Sequence, residues 1–155
     1  MPPASLGTSG EVSVWDSSVL IPLTLPRSKS SALYSRLDHA GWVVAATPAI
    51  LEEVREKLRT KQTLRKWLSL SDEDITDFVD NVLPALVRMY PGSATAMGAV
   101  PADPDDDVVM AAALESQAKY IVSEDNHLLS LGDYAGIQIL SRDAFRDELD
   151  RLGVP

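Results

Sequence analysis

The stretch DVVMAAALESQAKYIVSED, Asp107 to Asp125, decides the reading of the fold. It opens with an Ala-rich apolar run that reads as a helix over 106–117. A short run, Tyr120 to Val122, then reads as a buried strand with acids just past its end. Helix, strand and then carboxylates is the local signature of a parallel α/β unit.

The pattern repeats outward from there. VSVW, Val12 to Trp15, is a buried strand ending at Asp16. SSVLIPL follows, with Ser17 or Ser18 as the expected helix N-cap. A helix runs from Ser28, with Leu33 and Leu37 on one face and Gly41 at its end. WVVAAT, Trp42 to Thr47, is the second strand. Its helix starts at Thr47 and Pro48 and presents Ile50, Leu51, Val54 and Leu58 on one side. TKQTLRKWLSL reads as a short helix, and SDEDITDFVDNVLPALVRMY as a longer one with a capping-box start at Ser71 and Asp74. Pro84 sits inside that run and should kink it. A short strand is expected near 94–98, IQIL is the last strand, and Ser141 caps the closing helix. The expected architecture is one α/β domain over 12–155, behind a flexible lead over 1–11. It is a three-layer α/β/α sandwich around a central, mainly parallel sheet of four to five strands.

Composition narrows the chemistry. The 155 residues include no cysteine, which excludes disulfides, zinc–thiolate sites and cysteine nucleophiles. With two histidines, His39 and His127, any metal would be held by oxygen, which favours magnesium, manganese or calcium. The net charge of -9 argues against a non-specific nucleic-acid coat, but not against an enzyme with a local basic patch. No apolar run approaches a membrane span and the N-terminus has no signal-peptide pattern, so the expected location is the cytoplasm.

Carboxylates fall where strands end. In parallel sheets ligands bind at the carboxyl edge. Asp16 follows the first strand, and Asp125 follows YIVS. Glu52 and Glu53 lie a turn into the second strand's helix, and Asp105, Asp106 and Asp107 open the helix before YIVS. At about 4 Å and an effective dielectric near 20, each like-charge pair costs roughly 4 kcal/mol, a repulsion that a divalent cation relieves. One basic stretch, Arg59, Lys61, Arg65 and Lys66 beside Trp67, reads either as an exposed helix face or as a phosphate-gripping rim.

VWDSSVLI, ILEEVREKL, DPDDDVVMAAALESQAKYIVSEDNHLLSL and IQILSRDAF, in this order and spacing, resemble the PIN-domain ribonucleases, in particular their VapC-type toxin branch. The resemblance spans about Val12 to Leu149. It implies a hydrolase that cleaves RNA phosphodiesters with Mg²⁺ or Mn²⁺, a cognate protein antitoxin and a homodimer. It implies Asp16, Glu53, Asp107 and Asp125 as catalytic metal ligands, with Glu52 as the lesser alternative to Glu53. Ser123 matches a supporting hydroxyl. Ser18 stands where the family commonly has asparagine, and His127 where a further acid is frequent. Arg59, Arg65 and Lys66 are the candidate substrate-binding cations, while Asp103, Asp105 and Asp106 read as loop polarity and helix-start charge. Two rivals stand beside this reading. A phosphoryl-receiving domain would want a lysine after the last strand, which IQILSRD lacks. A PIN-like scaffold with weakened catalysis would act by binding a partner.

Overall fold

The computed structural model describes residues 10–93 and 107–155. The strand expected near 94–98, and Asp103, Asp105 and Asp106, lie outside these residues. The elements are β1 (Val12–Trp15), α1 (Ser17–Leu20), a 3₁₀ turn (Ile21–Thr24), α2 (Lys29–His39), β2 (Val43–Ala46), α3 (Pro48–Thr60), α4 (Gln62–Leu68) and α5 (Asp72–Asp77). A π-helical turn (Phe78–Val82) leads into α6 (Leu83–Leu86) and β3 (Arg88–Met89). Then come α7 (Asp107–Ser116), β4 (Tyr120–Val122), α8 (Asn126–Leu129), β5 (Asp133–Tyr134), β6 (Ile137–Leu140) and α9 (Arg142–Arg151).

The sheet order is β3-β2-β1-β4-β6-β5. All pairings are parallel except β5 with β6. Ser13 to Trp15, Val44 to Ala46 and Tyr120 to Val122 are each buried at every residue, because both sheet faces are covered. Helix α7 packs on β1, β2 and β4, burying Val109, Met110, Ala112 and Ala113, and the two alanines permit a close approach. Helix α9 packs on β6 and α2, burying Phe145 and Leu149.

The sheet has six strands rather than four or five. The additions are the two-residue edge strands β3 and β5, too short to carry a periodic pattern. The long helix expected over 71–90 ends at Leu86. Pro84 has no N–H to give the carbonyl four residues back, and the preceding turn widens so that Leu83 N–H bonds Phe78 O. Released from the helix, Arg88 and Met89 pair with Ala45 and Ala46. Similarly, Ala135 and Gly136, both at positive φ, turn β5 back onto β6.

Helix α2 ends as expected at Gly41, whose φ of 77° lets its N–H reach Asp38 O while Trp42 N–H reaches Leu37 O. Trp42 thereby enters β2 in register. Gly41→Ala should cost about 1 kcal/mol, read as a lower urea midpoint at unchanged slope.

Candidate metal and catalytic centre

The chain leaves β1 in one direction to form β2 and β3, and later returns to add β4 and β6 on β1's other side. The carboxyl ends of β1 and β4 therefore flank the topological switch point, where parallel sheets open a crevice. Trp15 pairs with Val122, and Asp16 N–H donates to Val122 O at 3.2 Å. This register sets Asp16 beside Ser123.

Asp16 is only 4% exposed. It occupies the backbone N-cap position of α1, the place expected of Ser17 or Ser18, but its carboxylate makes no capping bond. Both carboxylate oxygens instead accept hydroxyl protons. Ser18 donates to Oδ1 at 2.5 Å, and Ser123 donates to Oδ2. Each serine in turn accepts a backbone N–H from the turn after β4: Glu124 N–H to Ser18 Oγ at 3.0 Å and Asp125 N–H to Ser123 Oγ at 2.9 Å. With its hydroxyls oriented this way, the cradle suits an ionised carboxylate, which can only accept. Burial nevertheless pushes the Asp16 carboxyl above the ordinary aspartate range. The two hydroxyls and the Lys57 ammonium pull it back in part, and Asp125 adds to the rise.

Asp125 is half-buried and caps α8, its Oδ1 accepting His127 N–H at 2.7 Å. The His127 ring is exposed, with Nδ1 at 3.8 Å from the same oxygen. Glu52 is exposed and bonds Arg55 at 3.2 Å, and Arg55 also grips Asp80. Glu53 is half-buried and lies one helical turn before Lys57, on the same face of α3. Asp107 is half-buried as the first residue of α7. That helix leads down into the start of β4, so Asp107 sits toward the sheet's carboxyl edge.

The structure thus brings Asp16, Asp125, Ser18 and Ser123 into one constellation. Among the described residues it does not draw three acids or histidines within reach of a single ion. The donors present are hard oxygens around a desolvated carboxylate, a chemistry that fits a hard divalent cation. Arg65 is engaged by Asp72 at 2.7 Å and Leu70 O at 3.1 Å. Arg59 and Lys66 are exposed on α3 and α4, and Trp67 is 72% exposed beside them.

Two groups at the centre escaped the sequence reading. Lys57 donates to Ser17 Oγ at 2.6 Å and is the cation nearest in effect to Asp16. Its signal was its spacing of one turn from Glu53. Glu124 accepts Arg142 N–H at 2.8 Å and so ties the turn after β4 to the start of α9, a contact no local pattern announces.

A buried aspartate at the switch point of a parallel α/β sheet, with a second aspartate beside it, defines an acidic-centre α/β domain. Residues 13–127 match the PIN domain family model, and the chain belongs to the PIN domain family. PIN domains are generally nucleases. Among solved structures, the fold is similar to that of the crystal structure of PAE2754 from Pyrobaculum aerophilum. That match has a TM-score of 0.56 and 16% identity over 92% of this chain and 91% of the other. No curated protein matches the chain in sequence.

Proposed function

We propose that the chain is a metal-dependent endoribonuclease, with Asp16, Glu53, Asp107 and Asp125 as the catalytic ligands of Mg²⁺ or Mn²⁺. The observation that carries this reading is the buried Asp16 carboxylate, ionised in form by its cradle yet disfavoured by its burial. Such a group is poised for a cation. When bound, a divalent ion supplies a polarised water for attack on phosphorus and neutralises charge on the leaving oxygen.

The chain's own residues supply the positioning. Ser18 and Ser123 fix both oxygens of Asp16 and, through the backbone of Glu124 and Asp125, lock the turn after β4 against β1. Asp125 faces the same crevice. Lys57 keeps a positive charge at the base of the centre. Glu53 is favoured over Glu52 because it shares the Lys57 face, whereas Glu52 is spent on Arg55. His127 stands beside Asp125 at the rim. In the wider proposal, the chain is a cytoplasmic VapC-like toxin that works as a homodimer. A cognate antitoxin would mask the carboxylates with a basic side chain.

The test is cleavage of single-stranded and structured RNA in Mg²⁺, Mn²⁺ or EDTA. Wild type should cleave with either ion and stop in EDTA, and Asp125→Ala should lose at least a hundredfold in rate. Equal cleavage by wild type and variant would assign the activity to a contaminant. The second reading, a partner-binding PIN scaffold with weakened catalysis, draws on the absence among described residues of three acids or histidines around one point. It predicts no cleavage of any RNA under any of these conditions.

A further inference from the structure

A groove of about 290 Å³ runs between α2 and α9. From α2 it takes Lys29, Ala32, Leu33 and Arg36, a single helical face at spacings of three and four. From the first turns of α9 it takes Arg142, Asp143 and Arg146. Four cations and one acid line it, in a chain of net charge -9. The floor of Ala32 and Leu33 is apolar.

Its position ties it to the acidic centre. Arg142 directly follows Ser141 at the carboxyl end of β6, the edge that also carries Asp16 and Ser123. Arg142 N–H bonds Glu124, Glu124 N–H bonds Ser18, and Ser18 bonds Asp16. The groove mouth is therefore three hydrogen bonds from the candidate reacting centre. By contrast, Arg65 on α4 is already consumed by Asp72 and Leu70.

The geometry points to the α2–α9 groove as the phosphate track for single-stranded RNA flanking the cleaved bond, with Lys29 and Arg146 as its movable contacts. This rests on the nuclease reading above. Lys29 and Arg146 are 68% and 53% exposed, and both lean on Asp143 at 3.4 Å. Arg146 also reaches Asp147 at 3.3 Å. Exposed pairs of this kind are weak and exchange readily for a phosphate. Arg36 is held by Asp150 and the carbonyls of Val154 and Pro155, and Arg142 by Glu124 and Ser30. They set the field of the groove, while Lys29 and Arg146 move to the strand. Ala32 and Leu33 give a base or ribose a small apolar surface.

The experiment measures binding of a fluorescein-labelled single-stranded oligoribonucleotide by anisotropy, in EDTA and across a salt series. The double variant Lys29→Gln/Arg146→Gln should bind roughly tenfold more weakly at low salt. Its plot of log K against log salt should flatten by about 1.4, two contacts at 0.7 each. In Mg²⁺ the same variant should raise KM with kcat unchanged. Lys119→Gln, just before the amino end of β4, should match wild type, and Arg59→Gln/Lys66→Gln is measured beside it as the rival site. Unchanged affinity and slope in the groove variant would overturn the assignment, as would a loss confined to the Arg59/Lys66 pair or no binding by wild type in EDTA. If wild type still cleaves in Mg²⁺ while the groove variant behaves as wild type, the track falls and the nuclease reading stands. If wild type cleaves nothing, the nuclease reading falls.

Discussion

Asp16→Asn should lower RNA cleavage about a thousandfold, roughly 4 kcal/mol of barrier, while the protein stays folded. Asparagine keeps the shape of the side chain but can accept at only one of its two terminal atoms. Either Ser18 or Ser123 must then surrender its donated bond, and the anionic ligand is gone. Stability separates this loss from misfolding. Burial holds the folded-state Asp16 carboxyl above the ordinary value of 3.8, so ionised Asp16 counts against folding. That penalty is absent below about 3.8, grows as pH climbs through the raised folded value, and is complete above it. In EDTA the asparagine variant should therefore gain on wild type as pH rises through the raised folded value, and lose that gain toward acid pH. Excess Mg²⁺ or Mn²⁺ should shift the comparison back toward wild type. An ion at a hundred times its Kd stabilises wild type by about 2.7 kcal/mol and has no such purchase on the variant. A variant that cleaves at the wild-type rate would remove Asp16 from the reaction. A melting difference that the ion leaves unchanged would remove it from the metal site.

The second large effect concerns the framework. Phe145→Ala should cost about 3–5 kcal/mol, seen as a fall in the urea midpoint at unchanged slope. Phe145 is fully buried, with its ring centroid 5.2 Å from Tyr120 and 6.1 Å from Trp42. It pins α9 to the start of β4 and the entry to β2 at once. Tyr120 gains a further tie on α9 by donating to Glu148 at 2.9 Å; burial, then that bond, pushes the phenol up to about 12. A domain of this size has a total stability of about 5–15 kcal/mol, so the loss is a large share of it. A cost under about 1 kcal/mol would mean that α9 is docked by other contacts.

The framework was legible because burial writes itself into local pattern. VSVW, VVAA, YIV and IQIL form the strands that their apolar runs announced. Ser71 and Asp74 form both bonds of the capping box, and Ser141 caps α9. The illegible parts depend on partners far along the chain. The edge strands β3 and β5 exist because a neighbour offers hydrogen bonds, not because two residues carry a signal. Asp16 followed a strand in the sequence, as a helix cap would. Only the fold shows its two oxygens turned to Ser18 and Ser123 instead of to the helix. The partners of Lys57 and Glu124 become visible only once α3 and α9 are placed. The basic stretch at 59–67 reads either as an exposed helix face or as a rim; the structure engages Arg65 with Asp72 and leaves Arg59 and Lys66 exposed, while four cations from two helices line a groove elsewhere, a grouping no local stretch could announce.

The Ser123–Asp16 bond joins residues 107 apart in sequence. Contacts of such separation are slow to close and form only when the intervening chain has folded between them. On a ribosome, Asp16 emerges long before the hydroxyl that completes its setting, and the chain between must first lay down β2, α3 and α7. A nascent or truncated chain therefore carries the carboxylate without the centre. On the nuclease reading proposed above, the order of synthesis itself delays activity until β4 and the turn after it are in place.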